Sequence, residues 1–310
     1  MSAKELRLGR TLDASFKFVA RNLLAFVRVG WLPISLMLAL LALIGWTFLQ
    51  PILLTYMEFI EAFAEVGDDP ADVQRAVDNF SLAMEAAFES VGALNLWLGY
   101  LGIVIVSMLG TAIPMTAFIR MLALGETFHG LVYFRLGRRE LNVAISYFLA
   151  ALIATSAIMI VSTAIALISA MIFGGAGGGL IAVLLILGSL IVFFWVFARL
   201  VIAVPAAALD GGVSLMQTWA ATRGYGGKIA SILVVGYLML LVISTVTMFI
   251  LAGATNLVDG VLVSMGSNLS AYFSGGIWFV GYLAVTSISN AFFVSLFTVP
   301  YMTLKAQNAR

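Results

Sequence analysis

The chain has no cysteine, a single histidine and few charges: Asp, Glu, Lys and Arg make up 10% of its 310 residues. Without thiols, disulfides and thiolate chemistry are excluded, and the redox compartment cannot be read. One histidine, His129, excludes a multi-histidine metal site within one chain. It also leaves every serine without a base to activate it. Walker-type phosphate loops are missing too, since GGAGGGL at 174–180 has neither Lys nor Ser/Thr after it. No enzyme and no cofactor is expected. The charge deficit excludes still more. A soluble domain carries about 25% charged residues, so this chain could not clothe a water-facing surface of its size.

What fills the sequence instead is apolar, 63% of it. Runs of about 20 residues, enough for the ~30 Å hydrocarbon core, recur at about 31–54, 93–118, 143–173, 180–208, 231–252 and 277–304. The expected fold is all-α integral membrane: six transmembrane helices as three hairpins in a single membrane domain, 1–310. No Asp or Glu falls inside the six runs, which argues against a proton relay or an ion-coupled pump.

Ahead of the first run, residues 11–28 place Phe16, Val19, Leu23, Phe26 and Val27 at helical spacing, with Lys17, Arg21 and Arg28 elsewhere. Such a segment is expected to be an N-terminal amphipathic interfacial helix; the alternative is the solvated first turns of a bundle helix. The leading MSAKELRLGRTLDASFKF has no apolar core, so no cleaved leader is expected. Residues 55–92 hold nine acids and one base, Arg75. Gly67-Asp68-Asp69-Pro70 breaks this insert, with Asp69 suited to an N-cap and Pro70 to the first helical position. Val73, Val77, Phe80, Met84, Phe88 and Val91 then form a stripe, so 55–92 is expected to be a periplasmic helical hairpin. Its acidic face is either solvated or cation-binding. In the next run Gly99, Gly102, Ser107 and Gly110 offer small surfaces for close helix packing. The glycine run at 174–180 is expected to be a tight turn, and 254–275 a mildly polar loop.

Basic residues stay on the cytoplasmic side. Six spans put both termini and both long junctions on one side, which collects fifteen of the sixteen Lys and Arg. Both termini are therefore expected in the cytoplasm. Pro114, Pro205 and Pro300 recur near the ends of even-numbered spans, consistent with a parallel repeat of three hairpins.

Arg199 is the one charge embedded in an apolar run. Either it marks a functional site or it snorkels to lipid phosphate. Thr286, Ser287, Ser289 and Asn290 form a polar cluster that either bonds neighbouring helices or lines a groove. The candidate lipid or ligand contacts are Arg199, Asp210, Trp219, Arg223, Lys228, Arg138, Arg139 and Asn290. Aromatics and bases at headgroup depth attract anionic phospholipid, at about 1 kcal/mol per Lys or Arg. The expected partner is thus the phospholipid bilayer, through anionic headgroups at the cytoplasmic face. No nucleic acid is expected, and no motif names a protein partner.

The stretch RLVIAVPAAALDGGVSLMQTWAATRGYGGK resembles bacterial multi-span families related to the membrane domain of glycerophosphoryl diester phosphodiesterases. The matching residues are Arg199, Pro205, Asp210, Gly211, Thr218, Trp219, Arg223 and Gly224. TVPYMTLK is similar to the tail of the same families. YFRLGRRELN resembles a phrase in uncharacterised alphaproteobacterial inner-membrane proteins. The soluble catalytic domain of the phosphodiesterase has no counterpart here, so the resemblance implies an accessory domain of the bacterial inner membrane and not hydrolysis. Three functions follow as expectations: a non-enzymatic protein acting on or through lipids or envelope partners; a transporter of a lipid or small anionic molecule; and an assembly or scaffold factor docking a partner through the acidic hairpin.

Overall fold

A backbone in hydrocarbon has no water to bond, so it must satisfy its polar groups within the helix. The computed structural model describes residues 6–66, 70–128, 130, 133–173, 178–213, 215–264 and 270–308. Their helices are α1 (Leu8–Arg21), α2 (Leu23–Glu65), α3 (Pro70–Val91), α4 (Ala93–Leu124) and α5 (Arg138–Phe173). There follow α6 (Gly178–Leu200), α7 (Ala203–Asp210), α8 (Leu215–Ala221), α9 (Gly226–Ser264) and α10 (Ser270–Asn308); no strand occurs among the described residues. Six segments are long and apolar enough to cross a membrane: Leu23–Phe63, Ala93–Leu124, Arg138–Ala164, Leu187–Asp210, Gly226–Ser264 and Phe273–Gln307. The chain is an all-helical, multi-pass membrane protein. Large side chains stay exposed along these segments, such as Ile191 at 70% and Phe249 at 74%. Water would penalise that surface, whereas lipid does not.

Helix boundaries depart from the sequence expectation wherever a local backbone bond outweighs composition. Residues 11–28 are not one helix. Asn22 leaves the helical region at φ −125° and ψ 20°, and its Nδ2 donates to Phe18 O at 2.8 Å, so α1 ends and α2 begins. The run at 180–208 is likewise two helices, α6 and α7. Pro205 has no N–H for Val201 O, which accepts from Val204 N–H instead, at 3.0 Å. The expected loop at 254–275 is helical up to Ser264 and again from Ser270. There Thr255 and Ser264 turn their hydroxyls onto Ala252 O (2.9 Å) and Val261 O (2.7 Å) and need no water. Gly125, at φ 67°, closes α4 six residues beyond the expected end at 118. The interruption at 67–69, the turn at 174–177 and His129 lie outside the described residues.

The helices sort into two compact units, 35–110 and the remainder of the chain (1–34 with 111–310). In the 35–110 unit, α2 lies against α4 through glycines. A methyl group added at Gly99 would sit 3.0 Å from Leu49, one at Gly102 3.1 Å from Ile44, and one at Gly110 2.7 Å from Met37. These pairs climb α2 as they descend α4, so the two helices run antiparallel. Near Pro51, α2 kinks at Leu49 (φ −125°, ψ 19°). Farther along, Phe59 stacks on Phe80 of α3 with ring centroids 4.1 Å apart. The α3 stripe is only partly used: Val91 is buried, whereas Val77 and Phe88 stay exposed.

The larger unit packs α5 along α6 and α9 along α10. Ser244 and Ser289 share a hydrogen bond at 3.1 Å, Leu296 fills the notch at Gly236, and Leu251 fills that at Gly281. This ladder is again antiparallel. Helix α1 packs on α10 and α9, burying Thr11, Ser15 and Val19, and Phe16 meets Phe292 at 4.6 Å. Phe26, Phe118 and Phe297 are among the fully buried side chains of its core.

Candidate functional site

The break that Pro205 imposes ends α6 directly after Arg199, and the short α8 returns over that end. Trp195 and Arg199 stand one turn apart on the same face of α6. Trp219, from α8, completes a cage. Its ring centroid lies 3.6 Å from the Arg199 guanidinium carbon, and that of Trp195 lies 5.3 Å away. The two indoles meet edge to face at 5.7 Å. Arg199 Nη2 donates to Trp219 O at 2.7 Å, and Nε donates to Thr222 Oγ1 at 3.3 Å. Thr222, fully buried, in turn donates to Thr218 O at 2.9 Å. A methyl group at Gly226 would crowd Arg199 Cδ at 3.1 Å and Trp195 Nε1 at 3.3 Å, so glycine admits the cage at the start of α9.

Arg199 is therefore held by π faces and neutral oxygens. Among the described residues no carboxylate lies within ion-pair distance of it. Arg223 is a like charge near enough to act on it. Arg223 and Lys228 are themselves exposed, and Lys228 Nζ stands 5.9 Å from the Tyr225 ring. Arg199 and Arg223 are thus two neighbouring cations by the end of α6, with no carboxylate bound among the described residues.

Asp210 belongs elsewhere. Tyr301 Oη donates to its Oδ2 at 2.6 Å, and Lys305 Nζ donates to Oδ1 at 2.7 Å. One residue on, Gly211 takes φ 80°, and its carbonyl accepts from Asn142 Nδ2 at 2.8 Å. The α7 terminus is thereby tied to both α5 and α10. Arg138 and Arg139 open α5, exposed, with the helix dipole against them. Buried Glu140 offsets this by accepting Gly137 N–H at 3.0 Å, half of a capping box. Asn290 lies half-buried midway along α10 and forms no hydrogen bond among the described residues. The structure thus brings Arg199, Trp219 and Arg223 together, sets Lys228 beside Tyr225 at the start of α9, and leaves Asp210, Arg138, Arg139 and Asn290 in other places.

Sequence reasoning missed Trp195 and Thr222, although the i, i+4 spacing of Trp195 and Arg199 signals a shared face. It also missed a second arginine site. Arg120 grips Glu126 with two donors, Nε to Oε2 at 2.8 Å and Nη2 to Oε1. Those hydrogen bonds hold the Glu126 carboxyl below its ordinary value, against the opposing effect of burial. Burial pushes the nearby Tyr133 phenol up.

Within the spans, Tyr147, Phe193, Phe197 and Tyr237 line an apolar cleft of about 500 Å³. No family model matches the chain, and neither a curated protein nor a solved structure does.

Proposed function

We propose that the chain is a non-enzymatic, multi-pass protein of the bacterial inner membrane that holds an anionic phospholipid headgroup at Arg199, Trp219, Arg223 and Lys228. One observation carries this reading: an arginine at the end of α6, caged by two tryptophans, without a carboxylate partner among the described residues. A guanidinium bound only to π faces and neutral oxygens keeps most of its charge uncompensated, and a phosphate takes a guanidinium bidentately. The distribution of Lys and Arg puts this patch and both termini on the cytoplasmic side. There, with the spans arranged as three hairpins, α1 lies along the headgroup layer.

The test is native mass spectrometry of the gently extracted protein. Wild type retains an anionic phospholipid that Arg199→Ala loses; equally bare spectra from both sink the reading. The aromatic cleft favours a second reading, a carrier whose cargo places an acyl chain between α5, α6 and α9. Under that reading Tyr237→Ala slows lipid exchange between vesicles, whereas a holding site leaves the exchange rate unchanged.

A further inference from the structure

The elbow between α1 and α2 forms a pocket of about 500 Å³ with the segment that follows α4. Phe18, Asn22 and Arg28 line one wall, and Glu126 and Phe128 line the other. One apolar helix starts at Leu23 and another stops at Leu124, and the pocket lies between those two ends. Its two charges differ in what they already bind. Arg28 is exposed and has no partner among the described residues. Glu126 accepts one donor from Arg120 on each oxygen, so each oxygen keeps a lone pair, and its depressed pKa keeps it ionised. Asn22 donates one of its two amide N–H groups to Phe18 O, and its Oδ1 accepts no hydrogen bond among the described residues, so it can accept. The pocket lining thus combines one cation, Arg28, with the acceptors Glu126 and Asn22 and the aromatic rings Phe18 and Phe128.

We propose that this pocket binds a phosphorylated primary amine, as in the headgroup of an aminophospholipid, with the phosphate on Arg28 and the ammonium on Glu126 and Asn22. A purely anionic headgroup would satisfy Arg28 and leave the remaining lone pairs of Glu126, which Arg120 already neutralises, without a donor. The site differs in place and in chemistry from the Arg199 patch and shares with it only the membrane setting.

The full-length protein in detergent is titrated with phosphatidylethanolamine and with phosphatidylglycerol and read by native mass spectrometry. Wild type retains phosphatidylethanolamine, and Arg28→Ala weakens that retention about tenfold, the effect of one lost charge-assisted hydrogen bond. The phosphatidylglycerol adduct assigned to Arg199 is unchanged in Arg28→Ala. Glu126→Gln abolishes the preference for ethanolamine. If that variant fails to fold because Arg120 loses its partner, the exposed Arg28→Ala still decides. Displacement of the lipid by free O-phosphoethanolamine identifies a soluble ligand, and its failure to displace identifies the lipid. Equal retention by wild type and Arg28→Ala overturns the proposal. So does a phosphatidylethanolamine adduct lost only in Arg199→Ala.

Discussion

Arg120 and Arg199 each stand near the end of an apolar helix, yet their surroundings are opposite. Arg120 is 17% exposed and locked to a carboxylate by two hydrogen bonds. Arg199 has two indole faces, a carbonyl and a hydroxyl. A paired arginine secures the fold because each partner neutralises the cost of the other. A caged arginine is positioned with its charge unspent. The difference teaches that an arginine near a span end is judged by its partners and not by its burial.

The sharpest break comes from swapping which arginine is lost. Arg120→Ala strands Glu126 as an uncompensated, partly buried charge, at a cost of about 3 kcal/mol, seen as a lower unfolding temperature in detergent. Arg199→Ala strands no carboxylate and forfeits about 1–2 kcal/mol of cation–π contact, yet it removes the bound anionic lipid. If Arg199→Ala costs more stability than Arg120→Ala, the assignment of roles is wrong. Arg199→Lys sharpens the contrast further. The charge survives, the planar guanidinium over the Trp219 ring does not, and lipid retention falls with little change in unfolding temperature.

Acid separates the two sites in the same way. Glu126 has its folded pKa depressed below its ordinary 4.5 by the Arg120 hydrogen bonds. The stability it contributes is present above that ordinary value and is lost as pH falls through the depressed folded value. Glu126→Gln flattens this acid limb of the stability profile. Arg199, with no titrating partner among the described residues, keeps its lipid through the same window. A wild-type acid limb unchanged in Glu126→Gln would assign the pH dependence to other carboxylates.

How far the sequence foretold this depends on what each feature rests upon. Six apolar runs were legible because hydrocarbon length is a composition property, and Gly99, Gly102 and Gly110 were legible as packing surfaces. Breaks at Asn22 and Pro205 and helix through Thr255 were not, because single hydrogen bonds decide them and hydropathy averages them away. Arg199, Trp219 and Arg223 lie within thirty residues of one another along the chain, and the fold sets Trp219 against Arg199 with Arg223 near it. Tyr301 and Lys305 meet Asp210 from 91 and 95 residues away, a distance at which spacing carries no signal. Asn290 looked like part of a polar cluster, but its neighbours Ser287 and Ser289 bond Leu283 O and Ser244, leaving it apart.

The smallest effect concerns the tie between the end of α7 and α10. Asp210 has two partners, so removing one leaves its charge still compensated by the other. Tyr301→Phe deletes the 2.6 Å hydrogen bond and retains the ring beside Lys305 Nζ, 5.6 Å from its centroid. The cost is about 1 kcal/mol, that of one net hydrogen bond, read as a small drop in unfolding temperature. Lys305→Ala combined with Tyr301→Phe costs more than the sum of the two, because only the double variant leaves the carboxylate bare. Additive losses would mean that water satisfies Asp210 already. The tie would then matter for anchoring α10 and not for neutralising a charge. Lipid retention at Arg199 is expected to survive Tyr301→Phe intact, since no hydrogen bond connects the two clusters among the described residues.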